Sequence, residues 1–374
     1  MNPNPPWNNA RVIVCCGTGG VGKTNIAAAL GLAAASLGRR TAVMTIDPAP
    51  RLADALGVTE QTTIVRQIDA NACEAYGITL SGPLSVVLPN TKEIFDSIVE
   101  TLAPNPRLKA QILGNPVYQR LSTLLAGSHE YAALEQFYRL YDSQDYDLII
   151  LDTPPAQNVL EFFTAPQRWL QFGDPRTLAL ISKFSGSKGF NPLFRFGQLA
   201  LEKAIAMMVG DSAVHQLMAL LTQLKEMVGP LTRRAKIVEE ILEAESTAIV
   251  WVTTPCLDPP HRLAHMQHAL NTLNKGQHWA VVNRFHPTLG APFEELHTML
   301  EIYLDKLSTS EHNDVLFALE YAHAQAILST RTLEYLNINH ITRTIPELPA
   351  TLGELARVAS IAKILLVGQN RNPP

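Results

Sequence analysis

Eight residues near the N-terminus constrain this chain more than any others. Gly17-Thr18-Gly19-Gly20-Val21-Gly22-Lys23-Thr24 satisfies the phosphate-loop pattern G-x-x-x-x-G-K-[ST] at every fixed position. Arg11 to Cys16, just before it, is a short apolar run suited to a buried strand, and Asn25 to Ala35, just after it, is alanine-rich and suited to a helix. Strand, glycine loop and helix in that order is the context the motif needs. Glycines let backbone N–H groups turn inward around phosphates, and the helix N-terminus adds partial positive charge at the same point. The pattern predicts a site for ATP formed by Gly17, Gly19, Gly20, Val21, Gly22, Lys23, Thr24 and Asn25. In that site Lys23 reaches the β- and γ-phosphates and Thr24 holds Mg²⁺.

Two acids stand where such a site needs them. Thr41 to Ile46 reads as a second strand ending at Asp47-Pro48-Ala49, and an acid at the carboxyl end of a strand beside the phosphate loop orients water or a metal-linked group. Asp47 takes that role, and it is also placed to cap the helix that begins near Arg51. Leu148 to Leu151 is a further apolar strand that delivers Asp152, a carboxylate for the Mg²⁺ side of the site. Pro154 and Pro155 then stop the strand and stiffen a loop suited to sensing the γ-phosphate.

The rest of the chain alternates strands with helices. Strands are expected at Tyr76–Leu80, Ala248–Thr254, Trp279–Asn283 and Ile341–Ile345, so the fold class is α/β, a parallel sheet flanked by helices. The nucleotide-binding part is drawn as 1–85, 142–158 and 246–374, and the helical part as 86–141 and 159–245, with Pro104, Pro106 and Pro116 as helix punctuation. A capping box, Thr351-Leu352-Gly353-Glu354, is expected to open the last helix.

Seven of the twelve Phe residues fall between Phe162 and Phe196, and Met207, Met208, Met218 and Met227 follow them. Val214, Leu217, Met218, Leu221, Leu224 and Val228 recur at helical spacing. Helix packing explains the stripe alone. The crowding of Phe and Met beside Ser185 to Gly189 points further, to an adaptable surface for apolar cargo. Charged residues are 17% of the chain against 47% hydrophobic ones, which favours a dimer face or an apolar groove.

A net charge of −4 leaves no basic footprint for nucleic acid. No charged leader precedes an apolar core and no run of 18 apolar residues occurs, so the expected location is cytoplasmic. Cys15, Cys16, Cys73 and Cys256 form no C-x-x-C pair and read as small hydrophobes. His261, His265 and His268 share a helical face without an acid beside them, so a solvated face is expected there, not a metal site.

With these residues in hand, the chain resembles the ArsA-type ATPases, the family of the arsenite-pump ATPase and of the ATPase that carries tail-anchored proteins to membranes. The likeness lies in the phosphate loop, Asp47-Pro48-Ala49 with Leu52 and Asp54, Asp152 to Pro155, Asn115-Pro116 through Glu130-Tyr131, and Val282-Asn283-Arg284. The resemblance implies a parallel sheet with an inserted α-helical subdomain around the second switch, and a nucleotide-bridged homodimer or a heterodimer with a related ATPase, coupling hydrolysis to a hydrophobic protein client or a membrane partner. It also implies that Asn283 contacts adenine and that Asp54 supports the first switch. Alternatives are an ATP-binding interaction protein with little hydrolysis and the motor subunit of an anion pump. Many relatives carry a lysine after the first glycine of the loop, where this chain has Thr18, and Arg51 is the nearest cation in sequence to replace it. The zinc C-x-x-C and the metalloid-binding cysteine spacing of some relatives are absent.

Overall fold

A computed structural model describes residues 9–46, 51–58, 64–124, 128–154, 162–168, 170, 211–259, 276–304, 308–337 and 341–367. Eight strands form one sheet: β1 (Val12–Cys16), β2 (Thr41–Thr45), β3 (Val65–Gln67), β4 (Leu84–Val87), β5 (Leu148–Asp152), β6 (Thr247–Thr253), β7 (His278–Phe285) and β8 (Ile341–Pro346). Their spatial order is β3-β4-β2-β5-β1-β6-β7-β8. Only β3, at one edge, pairs antiparallel; every other neighbour is parallel. Every residue of β1, β2, β5 and β6 is buried, the mark of central strands covered on both faces.

Successive side chains of β1 alternate between two cores. Ile13 and Cys15 point to the layer of α1 (Lys23–Ser36) and α11 (Glu354–Val367), whereas Val12, Val14 and Cys16 point to that of α7 (Ser128–Asp142) and the second half of α8 (Asp211–Glu243). Alanines on almost every side of α1 let it lie close to both sheet and α11. At Gly31 an added Cβ would come within 2.4 Å of the Val43 side chain. Val358, Ile361 and Leu365 of α11 are buried in the same core.

A third core lies among helices. Ile94 and Ile98 of α4 (Thr91–Leu102), Ile112 of α5 (Pro106–Leu113) and Tyr118 of α6 (Pro116–Leu124) pack with Leu220 and Met227 of α8. Pro106 and Pro116 each occupy the first helical position, where the missing N–H costs nothing. Asn115 caps α6, accepting from the Val117 and Tyr118 N–H groups, and its Nδ2 donates to the Gln216 carbonyl of α8 at 3.0 Å. Buried Glu135 of α7 accepts from Arg139 and from Arg234 of α8, which ties the helices together where α8 passes from this core to the sheet.

Three local expectations are corrected. Tyr76–Leu80 is not a strand but the exit of α3 (Ala70–Glu74): Gly77 has φ 69°, its N–H donates to the Glu74 carbonyl, and the Ile78 N–H reaches back to Cys73. The sheet instead takes the short run Leu84–Val87, which begins after Pro83 and continues two residues past the boundary drawn at 85. Glu354 is the first helical residue of α11, not the third, because Gly353 accepts from the Arg357 N–H and Thr351-Leu352 lie in the preceding turn.

Gly31→Ala is expected to lower unfolding stability by about 1–3 kcal/mol through overpacking against Val43. Gly229→Ala, in α8 with open space at its Cβ but directly before Pro230, whose ring opposes a helical side chain at the preceding position, should change it by less than about 1 kcal/mol. Urea unfolding of the two variants beside the parent measures the contrast, and equal shifts would remove the close helix–strand approach from the account.

Candidate nucleotide-binding site

The loop is shaped by contacts that leave no room for side chains. Gly17 is buried at the end of β1, and a Cβ there would sit 2.2 Å from the Val252 carbonyl oxygen of β6. Gly20 and Gly22 have φ of 75° and 89°, a left-handed backbone that side chains disfavour. Gly22 is also the N-cap of α1, and its missing Cβ makes space for the Asn283 amide, whose nitrogen would lie 2.4 Å away. Gly19 and Gly20 are exposed, Val21 is buried, and Thr24 and Asn25 are half-buried in the first turn of α1.

Asn283 is a backing residue of this loop. It is buried, and its Nδ2 donates to the Val21 carbonyl at 2.9 Å. It sits where the β7–β8 register shifts between Val282 and Phe285, next to Arg284 with φ 54°. A bulge of this kind re-aims a side chain, here toward the loop. The Val21 carbonyl is thereby held on the far side of the turn.

Lys23 is buried, and its Nζ donates to the Thr18 carbonyl at 2.9 Å. Burial pushes its ammonium below the ordinary lysine range, and the Asp152 charge opposes that shift. The Arg51 guanidinium, on the exposed first residue of α2 (Arg51–Ala55), adds to the lowering, so a second positive charge lies in the field of Lys23. Leu52 and Ala53 are buried beside it and fix its register.

Asp152 closes β5 and is buried, 3% exposed. Thr153 Oγ1 donates to the Cys15 carbonyl at 2.6 Å, fastening the end of β5 to β1 just before the loop. The Ile46 N–H donates to the Asp152 carbonyl at 3.0 Å, so β2 ends beside the same point. Position 47 follows directly, but Asp47 lies outside the described residues. Cys15 and Cys16 are raised by burial, Cys16 to about 12, which keeps both thiols protonated and inert at neutral pH. No cluster suited to a metal occurs among the described residues. His261, His265 and His268 lie outside them.

The structure thus brings together Gly17, Gly22, Lys23, Asp152 and Asn283. The phosphate-loop motif shows the first three in sequence, and the apolar run Leu148 to Leu151 that leads into Asp152 shows the fourth. The Thr153 and Asn283 contacts leave no periodic trace, because each is a single side chain reaching a backbone carbonyl 138 or 262 residues away.

A parallel sheet whose central strand runs through a glycine loop into a helix defines a phosphate-loop nucleotide-binding protein. Residues 10–289 match the family described as Anion-transporting ATPase, and the chain belongs to that family. A putative arsenical pump-driving ATPase of Halobacterium salinarum is 30% identical over 172 residues, 45% of this chain and 26% of that protein. An ATPase GET3 of Malassezia globosa is 24% identical over 183 residues, 49% of this chain and 48% of that one. The chain therefore spans about half or less of the curated relatives it matches. Among solved structures, a chain of the MinC:MinD cell division protein complex of Aquifex aeolicus is similar over 98% of both chains at 16% identity, with a TM-score of 0.39.

Asn283→Ala is expected to weaken binding of a non-hydrolysable ATP analogue about tenfold, the effect of losing roughly one buried hydrogen bond that holds the loop. A fluorescence titration checks this, and unchanged affinity would show that the loop keeps its shape without the amide.

Proposed function

We propose that this protein is an Mg²⁺-dependent ATP hydrolase that works as a nucleotide-gated dimer. The observation that carries the reading is the meeting of buried Lys23 and buried Asp152 at a loop whose glycines are required by Val252 and Asn283. A glycine loop at a helix N-terminus beside one desolvated ammonium suits a triphosphate. The Thr24 hydroxyl and the Asp152 carboxylate suit a hard divalent cation, directly or through water. Mg²⁺ held there by Thr24 and Asp152 would supply neutralisation of the phosphate charge.

The chain's own groups divide the remaining work. Lys23 binds and orients the phosphates, the loop amides from Gly17 to Thr24 hold developing charge, and Asp47, two residues after β2 in sequence, positions the attacking water. Arg51 lies in the field of Lys23 and serves as the cation for the transferring phosphate. The Asn283 Oδ1 remains to meet adenine while Nδ2 holds Val21.

Coupling to a client needs an element whose arrangement the γ-phosphate changes, and the segments after β2 and β5 fill that role, since both leave the sheet beside Asp152. The client is an apolar protein segment or a membrane partner. The Phe- and Met-rich stretch supports this reading in sequence, but Phe162, Phe163 and Met227 are core residues, which narrows the surface to the remainder. The described helices contain no segment long and apolar enough to cross a membrane. The division into a nucleotide-binding part and a helical part belongs to the same proposal.

Three variants test the chemistry. Lys23→Ala should lose nucleotide binding, whereas Asp47→Asn should keep binding and lower turnover by roughly 10²–10⁴-fold. Arg51→Ala should slow phosphate release far more than it weakens binding. Turnover equal to wild type in both Asp47→Asn and Arg51→Ala would exclude these roles and favour a slow, switch-like protein. For the client surface, Met218→Asp with Leu221→Asp should leave ATP binding intact and abolish capture of an apolar helical peptide. Loss of nucleotide or unfolding in that variant would place both residues in the core.

A further inference from the structure

Beyond β7 the chain forms two helices that are largely uncovered among the described residues, α9 (Phe293–Leu304) and α10 (Thr309–Asn337). Between residues 309 and 325 of α10 no residue is buried, although the helix is 29 residues long. Burial begins only at Ala326 and continues at Ser329, Thr332 and Leu336, one face of the second half. That half is fastened to the sheet: Ser329 Oγ accepts from the His286 N–H and Thr332 Oγ1 from the Cys256 N–H, each at 3.0 Å. The first half is held by local features. Ser308 and Glu311 form a capping box, the Ser308 N–H and hydroxyl donating to the Glu311 carboxylate at 2.9 and 2.7 Å, and Phe293 of α9 stacks on His323 at 4.7 Å.

The outer side of this arm is apolar. Phe317 is 70% and Tyr321 53% exposed, and Ala324 and Leu328 continue them at i, i+4, i+7 and i+11, a single helical stripe. Exposed Asp314 and Glu320 flank it on either side. From 293 to 325 the sequence holds seven acids against one lysine. An aromatic stripe left in water is a recognition surface, and its acidic borders select the partner. Two such arms would repel each other face to face, and an anionic bilayer would repel either.

We propose that this face of α10 docks an amphipathic helix of a partner protein whose apolar stripe is bordered by Lys or Arg. Apolar residues of the partner cover Phe317 and Tyr321, and its cations meet Asp314 and Glu320. The proposal is independent of hydrolysis, since no residue of the stripe belongs to the nucleotide site.

The test uses the full chain and an 18-residue synthetic Leu/Lys amphipathic helix, with a Leu/Glu helix of the same pattern as control, read by fluorescence anisotropy at two salt concentrations. The expected result is binding of the Leu/Lys helix alone, weakened by salt, and at least tenfold weaker both in Phe317→Ser with Tyr321→Ser and in Asp314→Lys with Glu320→Lys. Circular dichroism and nucleotide affinity should be those of wild type in both variants. If the aromatic variant unfolds, the charge-reversal variant still decides. Equal binding of the Leu/Lys helix by the charge-reversal variant and wild type overturns the proposal, as does binding of the Leu/Glu helix. It is also overturned if wild type sediments as a dimer that Phe317→Ser with Tyr321→Ser dissociates, or if vesicles of phosphatidylcholine and phosphatidylserine bind wild type and not that variant. The first of those results would assign the face to a second copy, the second to a membrane.

Discussion

The close approach of the loop backbone to β6 is the contact on which the rest depends. Gly17 lies so near the Val252 carbonyl that any side chain would force β1 and β6 apart. With β1 pressed between β5 and β6, its exit leads straight into the turn at Gly20 and Gly22 and then into α1. Asp152 reaches the same point because it is the register partner of Cys15. Thr153 closes that junction through the Cys15 carbonyl, and Asn283 closes the opposite one through Val21. Each is a side-chain donor that satisfies a backbone carbonyl in a place where water is scarce.

Electrostatics in the site follow from that packing. A buried ammonium is costly, and burial accordingly lowers Lys23, while the nearby Asp152 carboxylate restores part of its preference for charge. The Thr18 carbonyl accepts from Nζ and fixes the head of the side chain over the loop. Phosphate oxygens offer the same ammonium a stronger partner than a neutral carbonyl does, so the geometry favours exchange of one for the other. The alternation of β1 side chains between two cores places α1 and α11 on one face and α7 with α8 on the other.

Much of this was legible in the sequence because it is local. The phosphate loop, the apolar strands ending at Ile46 and Asp152, and the prolines opening α5 and α6 each carry their signal within a few neighbours. Leu84–Val87 was hidden by its length of four residues, and Tyr76–Leu80 misled because Gly77 turns an apolar run into a helix exit. Asn283 stood out only through resemblance. Its hold on Val21 depends on a register shift in β7 that no periodicity encodes. The arm of α9 and α10 was illegible as a surface, since an apolar stripe at helical spacing reads as core until the exposure of Phe317 and Tyr321 is seen.

The central claim is that a loop held from one side by β6 and from the other by Asn283 is the nucleotide site. Amide hydrogen exchange with and without Mg²⁺ and a non-hydrolysable ATP analogue tests it most directly. The account predicts slower exchange across residues 17–25 and in the segment carrying Asn283, with residues 309–325 of α10 unchanged. Unchanged exchange across residues 17–25 at saturating analogue would contradict it.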